Sequence, residues 1–526
     1  FQGIDVDSVN WGWMCDRGRF NFEAVESELR LATPQVRTDA GLVDTSWNSA
    51  IAVSRQLLDE ADTIALLGGA RSTNEGAYAW ASLADALGIE HRDAQLGDGL
   101  PSGVLSAPRA TIAQASIAST VVLVGPDLKE ELPILYLRLR DAVQQGRTKI
   151  IEFSSQTTGM SRYAWRTVQH APGMAGTDIS KVLAEPAVAE QLASGDVVVV
   201  AGRSNLAVSE RAAMAAVTAV LDAVPGASVL PALRRGNVVG ALQLGLAPAD
   251  ADHDALATLR AAAEGRIDVL VLLGADPLND CPDADLARRA LAGARRIISV
   301  DTFRSESTQQ ADVILPAAAF GEQGGSTTNL EGRVSRVRQK VTPHGTSRPD
   351  WMIATELALA MGHDIGFTSL DEATDAIATR VPAYADATRT TLDLDSEGVL
   401  AVAAVGSMPE AVSSDAQPSG YDYRLVVSRK LYDRAVSTTM SPSLAKLSIG
   451  AGAHVHPADL DRVGEPDGAD VKLISASGSV VLPLIADATV QRGTIWAPFN
   501  QGGADITDIV DSTSPVTDVR IERLSS

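Results

Sequence analysis

The sequence predicts an α/β protein made of several three-layer units and closed by a β-rich module. Three observations carry this reading. Continuous β-branched runs alternate with helical stretches over most of the chain, the pattern of parallel strands buried on both faces. The 526 residues are too many for one core, which sets two to four domains. Near residue 385 the texture changes, and the last hundred residues read as short strands with glycine turns.

The elements follow in order. "TIALLGG" (63–69) is a strand ending in glycines, and "NEGAYAWASLADALG" (74–88) is a helix stopped by Gly88. "TVVLVG" (120–125), "PDLKEELPILYLRLRDAVQQG" and "TKIIEFS" (148–154) form a strand–helix–strand unit. "DVVVVAG" (196–202) precedes the helical "SERAAMAAVTAVLDAVPG". "IDVLVLLGADP" (267–277), "DADLARRALAGA" (283–294), "RIISVD" (296–301) and "ADVILPAA" (311–318) repeat the alternation. Residues 385–420 are mostly small, polar and acidic and read as a linker, apart from "VLAVAAV" (399–405). "YRLVVSR", "ADVKLISASGSVVLPLIAD" and "GTIWAPFN" then read as a β-barrel or sandwich.

Composition narrows the function. A net charge of −22 repels nucleic acid and anionic lipid headgroups. Two cysteines, Cys15 and Cys281, argue against a disulfide framework and for a cytosolic chain. The apolar runs fall far short of the roughly 18–20 residues that cross a bilayer, so membrane association would come through partners. The chain begins at Phe1 without a charged-then-apolar leader and reads as a fragment or a processed chain.

Several enzyme signatures are missing from the sequence: the P-loop, the G-x-S-x-G elbow, H-E-x-x-H and the G-x-G-x-x-G order. His454 and His456 would share one face of a strand, but no third metal ligand is nearby. Cys281 lies in the acidic loop "GADPLNDCPD", a poor setting for a thiolate. "NLEGRVSRVRQK" (329–340) offers Arg333, Arg336, Arg338 and Lys340 to phosphates or carboxylates, with a solvated strand as the simpler reading. In "WGWMCDRGRF" (11–20), Arg17 and Arg19 favour a Cys15 thiolate. An iron–sulfur cluster takes about four thiolates, so Cys15 alone cannot hold one.

Taken together, these stretches resemble one family: the large G subunit in the peripheral arm of bacterial NADH–quinone oxidoreductase, whose long C-terminal region is related to molybdopterin oxidoreductases. "WMCDRGRF" resembles the segment with the last cluster cysteine. "STNEGAYAWASLADALG" resembles the Thr-Asn-Glu helix, and "RRGNVVGALQLGLAP" (234–248) the Asn-x-x-Gly-Ala segment. The stretch from "LLGADPLNDCPD" through "GRVSRV" (272–337) is the most specific match, and "HPADLDRVGEPDGADVKLISASGSVVLPL" resembles a closing double-psi barrel.

The resemblance implies multi-lobed α/β domains of the molybdopterin-oxidoreductase kind with a C-terminal double-psi β-barrel. The expected division is a remnant of an entry domain at 1–50, a discontinuous α/β domain at 51–100 plus 232–384, an inserted α/β domain at 101–231, a linker at 385–420 and a barrel at 421–526. Cys15 would be the fourth ligand of a 4Fe-4S cluster whose other ligands lie upstream of this sequence. Partners would be the other peripheral-arm subunits, on the cytoplasmic side of the bacterial inner membrane, without direct membrane insertion.

The departures from the family bear on the cofactor. Where the molybdenum enzymes place a Cys, selenocysteine or Ser ligand, "HRDAQLGDGLPSGVL" (91–105) offers only Asp98 and Ser102 as conceivable ligands, and Gly-Asp-Gly is more simply a turn. Where they have Val-Asp-Pro-Arg, this chain has Ile-Glu-Phe-Ser (151–154), and Glu152 would repel a pyrophosphate. A molybdopterin is therefore not expected, and neither is a catalytic residue. The alternative is an active molybdenum or tungsten bis-pterin oxidoreductase of the formate dehydrogenase kind.

Overall fold

A computed structural model describes residues 3–408 and 420–524. Two sheets, one mostly and one wholly parallel, and a barrel organise it.

The first sheet runs in the order Gly41–Asp44, Gln35–Thr38, Val313–Pro316, Arg296–Asp301, Val269–Leu273, Ile64–Gly68, His91–Asp93. Its last five strands are parallel, and the hairpin from 35 to 44 closes one edge in antiparallel pairing. Val269 pairs with Ile64, although the whole second sheet separates them in sequence. Strand Val269–Leu273, inside the sheet, is buried at every residue, as its unbroken Val/Leu run requires.

The second sheet has the order Arg166–Gln169, Lys149–Ser154, Thr120–Val124, Val197–Gly202, Ser228–Ala232 and is parallel throughout. Helices cover the faces of both sheets. Helix Asn74–Leu87 starts at Thr73, whose side chain accepts a hydrogen bond from the Gly76 N–H. It ends at Gly88, whose φ of +66° provides the left-handed cap predicted for it. Helix Glu210–Ala223 starts on Ser209 and helix Ala284–Gly293 on Asp283 by the same device.

The C-terminal module closes as a six-stranded barrel: Tyr423–Ser428, Thr494–Pro498, Ala453–Val455, Ser479–Ala486, Asp470–Ile474, Asp518–Arg523. Alternation sets its interior: in Asp470–Ile474, Val471 and Leu473 are buried while Asp470 is exposed. Within 385–420, helix Arg389–Leu394 buries Leu392, and Val399–Leu400 pairs with Arg333–Val337. Ala401 is fully buried in the same cluster, so the small-residue composition here accompanies tight packing. Positions 409–419 of the expected linker lie outside the described residues. No helix among the described residues is long and apolar enough to cross a membrane.

Candidate functional site

The loop after strand His91–Asp93 carries Asp98 into the interior between the two sheets and the barrel. Its shape follows from local bonds. The Asp93 carboxylate accepts from the backbone N–H of Gln95 (2.9 Å) and Ala255 (3.1 Å), and Gly97 turns the chain at a φ of +71°. Arg203, just past strand Val197–Gly202, donates to the carbonyls of Gly97 (3.0 Å) and Gly99 (3.2 Å). The same guanidinium donates to the Val208 carbonyl. A cation from the second sheet thus pins a loop of the first.

Asp98 is buried and both its carboxylate oxygens are engaged. Arg235 Nη1 donates to Oδ1 at 2.9 Å and Arg429 Nη2 to Oδ2 at 2.8 Å. Arg235 comes from the loop before helix Val238–Gln243, and Arg429 follows the first barrel strand. Burial works to raise the Asp98 pKa, but the two guanidiniums outweigh it and hold the carboxyl well below its ordinary range. Burial, with Arg234 nearby, pulls Arg429 down to about 10, and its guanidinium lies 4.2 Å from the Phe499 ring centre.

The charges continue in two directions. Arg235 Nη2 lies 3.4 Å from Asp280, which also accepts from Arg71 at 2.6 Å. On the other side, Arg234 approaches Asp433 (3.3 Å) and Glu131 (3.8 Å). Asp433 is shared with Arg17 at 2.7 Å, whose Nε also donates to the Leu431 carbonyl at 2.6 Å. Alternating ions therefore join the N-terminal segment, both sheets and the barrel.

The polar residues of the Thr-Asn-Glu helix hold this frame. Asn74 donates to Ser326 Oγ (3.1 Å) and accepts from Thr328 Oγ1 (3.1 Å). Glu75 accepts from the Ser326 backbone and from Thr374. Asn237 donates to the Ser72 carbonyl (3.0 Å) and accepts from the Thr328 N–H (2.7 Å), which ties the Arg234–Arg235 loop to strand Gly325–Thr328, the one that also holds Ser326.

The other residues singled out from sequence fall as follows. Ser102 is buried in a 3₁₀ turn, Ser102–Ser106. Glu152, inside its strand, accepts from Thr158 Oγ1, Ser161 Oγ (2.6 Å) and Thr167 Oγ1 (3.4 Å), and burial raises its pKa. Cys281 is buried, and burial pushes its thiol pKa up. His454 bonds Asp487 at 3.0 Å, whereas His456 accepts from the Ala458 N–H as a turn cap, so the two rings do different work. Among the described residues no group of three or more His, Cys, Asp or Glu side chains is placed to hold a metal.

In the basic stretch, Arg333 pairs with Glu331 at 2.5 Å, while Arg336 and Arg338 share Asp393. Cys15 is half-buried and precedes the short helix Asp16–Phe20. Asp16 accepts from the Tyr432 hydroxyl at 2.6 Å, which pushes that phenol up to about 12. The Arg17 charge, expected to favour a Cys15 thiolate, is committed to Asp433 instead.

Sequence reasoning named Asp98 only as a conceivable metal ligand, not as an ion-pair centre, and missed the roles of Arg234, Arg235, Asp280, Arg429 and Asp433. The paired arginines of "RRGN" were the one available signal, since adjacent cations before a buried Asn-x-x-Gly-Ala helix need counter-charges.

The sequence matches the Molybdopterin oxidoreductase family over residues 30–360 and the molybdopterin dinucleotide binding domain over residues 424–520. The chain belongs to the molybdopterin oxidoreductase family. Several curated relatives of 24–28% identity over most of the chain are named as the G subunit of NADH-quinone oxidoreductase. That of Streptomyces coelicolor is 27% identical over 95% of this chain and 64% of its own length. The NADPH-Fe(3+) oxidoreductase subunit alpha of Geobacter sulfurreducens is 25% identical over 99% of this chain and 71% of its own. The chain thus spans under two thirds of the Streptomyces protein. Acetylene hydratase from Pelobacter acetylenicus has the same fold, with a TM-score of 0.67 at 13% identity, covering 97% of this chain and 94% of that one.

Proposed function

We propose that this chain is the scaffold region of the large peripheral-arm subunit of a proton-pumping NADH–quinone oxidoreductase. It supports electron transfer along iron–sulfur clusters and carries out no redox step of its own. The observation that carries this reading is Asp98, with each carboxylate oxygen on a different arginine. A metal at Asp98 would have to compete with these two charge-assisted bonds, and displacing Arg429 would leave a buried cation without its direct ion-pair partner. Ser154 stands where the family's Val-Asp-Pro-Arg has its arginine, so the cation that would face a pyrophosphate is absent, and Glu152 in the same strand accepts from hydroxyls. The residues present therefore do not fit a metal–pterin group.

Cys15, half-buried beside the barrel, is the proposed last thiolate of a 4Fe-4S cluster whose other ligands come from upstream of this sequence. Other peripheral-arm subunits would cover the surrounding surface and bring the complex to the cytoplasmic face of the membrane.

Two measurements test the proposal. Metal and pterin analysis of the purified chain should show neither molybdenum nor tungsten. Near-stoichiometric metal with a pterin would establish the alternative, an active bis-pterin oxidoreductase. A chain extended upstream should gain iron and a reducible paramagnetic signal that Cys15→Ser removes, and unchanged iron content would reduce Cys15 to a packed thiol.

A further inference from the structure

The ion cluster is not balanced. Within direct ion-pair distance, five guanidiniums (Arg17, Arg71, Arg234, Arg235 and Arg429) face four carboxylates (Asp98, Glu131, Asp280 and Asp433); Asp276 and Asp301 act on Arg71 from further off, and burial raises the pKa of both. Burial raises the pKa of Glu131, which weakens the negative side further. Arg429 is 3% exposed and its Nη1 is buried with no hydrogen-bond partner among the described residues. A buried donor left without an acceptor is destabilising, and more so when it belongs to an ion. Water could accept the bond but could not cancel the surplus charge.

Two further features point to the same place. Arg235 adopts a φ of +81°, a left-handed conformation uncommon outside glycine, so the fold accepts strain to hold this guanidinium where it is. Next to it, Gly236 is exposed, and a Cβ added there would meet nothing within 4 Å. Arg234, with its side chain 18% exposed, is the most accessible of the three cations, and Arg235 and Arg429 lie further in at 7% and 2%.

We propose that this cationic side, formed by Arg429, Arg235 and Arg234, binds a small oxyanion such as phosphate, sulfate or a short carboxylate. The oxyanion would accept from Arg429 Nη1, enter past Gly236 and complete the charge balance that the four carboxylates leave unfinished. Guanidinium forks match the geometry of both tetrahedral and carboxylate oxygens. This site rests on the scaffold reading and extends it: a cleft without a large anionic cofactor keeps enough positive charge for a small one.

The test is calorimetric titration of the full chain with phosphate, sulfate and acetate at constant ionic strength, with chloride as the control. Saturable binding of at least one oxyanion, unmatched by chloride, identifies which class is preferred. Arg429→Gln should weaken it by at least about tenfold, the loss of one charge-assisted hydrogen bond. No saturable oxyanion binding, an equal response to chloride, or affinity unchanged in Arg429→Gln would overturn the proposal. If that variant does not fold, crystals of the unaltered chain soaked in selenate decide the matter. Anomalous density within hydrogen-bond reach of Arg429 Nη1 supports the site, and its absence there refutes it. A pterin recovered with its metal would remove the scaffold reading, whereas failure of the titration on a pterin-free chain removes only the oxyanion.

Discussion

Asp98→Asn is the substitution that most directly probes the central cluster. The change keeps size and shape but removes the charge that two buried guanidiniums share, at 2.9 and 2.8 Å, on a side chain 1% exposed. Arg235 retains Asp280 at 3.4 Å, so the heavier loss falls on Arg429. Removing one partner of a buried ion pair typically costs about 3–5 kcal/mol, because the other charge remains desolvated. We expect a loss in that range, measured by urea unfolding followed by tryptophan fluorescence and far-UV circular dichroism.

The effect should also carry a pH signature. The folded Asp98 pKa lies well below the unfolded value of about 3.9. Its contribution is therefore complete above the unfolded value and is lost as pH falls toward the folded one. The stability gap between the parent and Asp98→Asn should be flat above about pH 5 and shrink below about pH 4. In a double-mutant cycle, adding Arg429→Met should recover part of the loss, because the stranded cation is then gone. A variant within about 0.5 kcal/mol of the parent at neutral pH, the range of ordinary surface changes, would refute the reasoning.

Other outcomes follow from separate parts of the fold. Glu322→Gln should cost about 3–5 kcal/mol in the same unfolding assay, since Arg30 and Glu322 pair through two bonds of 3.0 and 2.6 Å with side chains 1% and 2% exposed. Asp93 has its pKa raised to about 7 by burial, so its contribution is full below the unfolded value near 4 and is lost as pH rises toward 7. Asp93→Asn should flatten the fall in stability across that window; an unchanged slope would show that Asp93 titrates normally. A thiol reagent should label Cys15 but not the buried Cys281 in the native chain, and both in denaturant; equal native labelling of the two would contradict the burial of Cys281.

The sheets were legible because their signal is local. "VLVLL" and "TVVLV" need burial on both faces, and only parallel layers provide it. The cap at Gly88 was readable for the same reason, being fixed by one residue's freedom at positive φ. Strand spacing alone left barrel and sandwich open, because it does not say which edges meet; the family resemblance chose the barrel, and the six strands close as one. The packing of 385–408 was also hidden: Leu392 and Ala401 find their neighbours far along the chain.

The site was half legible. Asp98 stood out as an acid in an otherwise turn-forming loop. Its partners Arg235 and Arg429 lie 137 and 331 residues away, and no spacing rule links them. Arg17 shows the opposite error. Its neighbour in sequence, Cys15, suggested a role that a distant carboxylate, Asp433, takes instead.

The pairing of Val269 with Ile64 has a consequence for how the chain acquires its shape. On a ribosome, strand Ile64–Gly68 emerges long before its neighbour and must wait for some two hundred further residues. The intervening strands, 120–124 through 228–232, have all their sheet partners within that interval. The later-numbered lobe should thus mature first, and the lobe that opens the sequence should finish only after translation has passed residue 316. Nascent chains halted before residue 269 should therefore protect 120–232 from protease while leaving 64–93 open to cleavage.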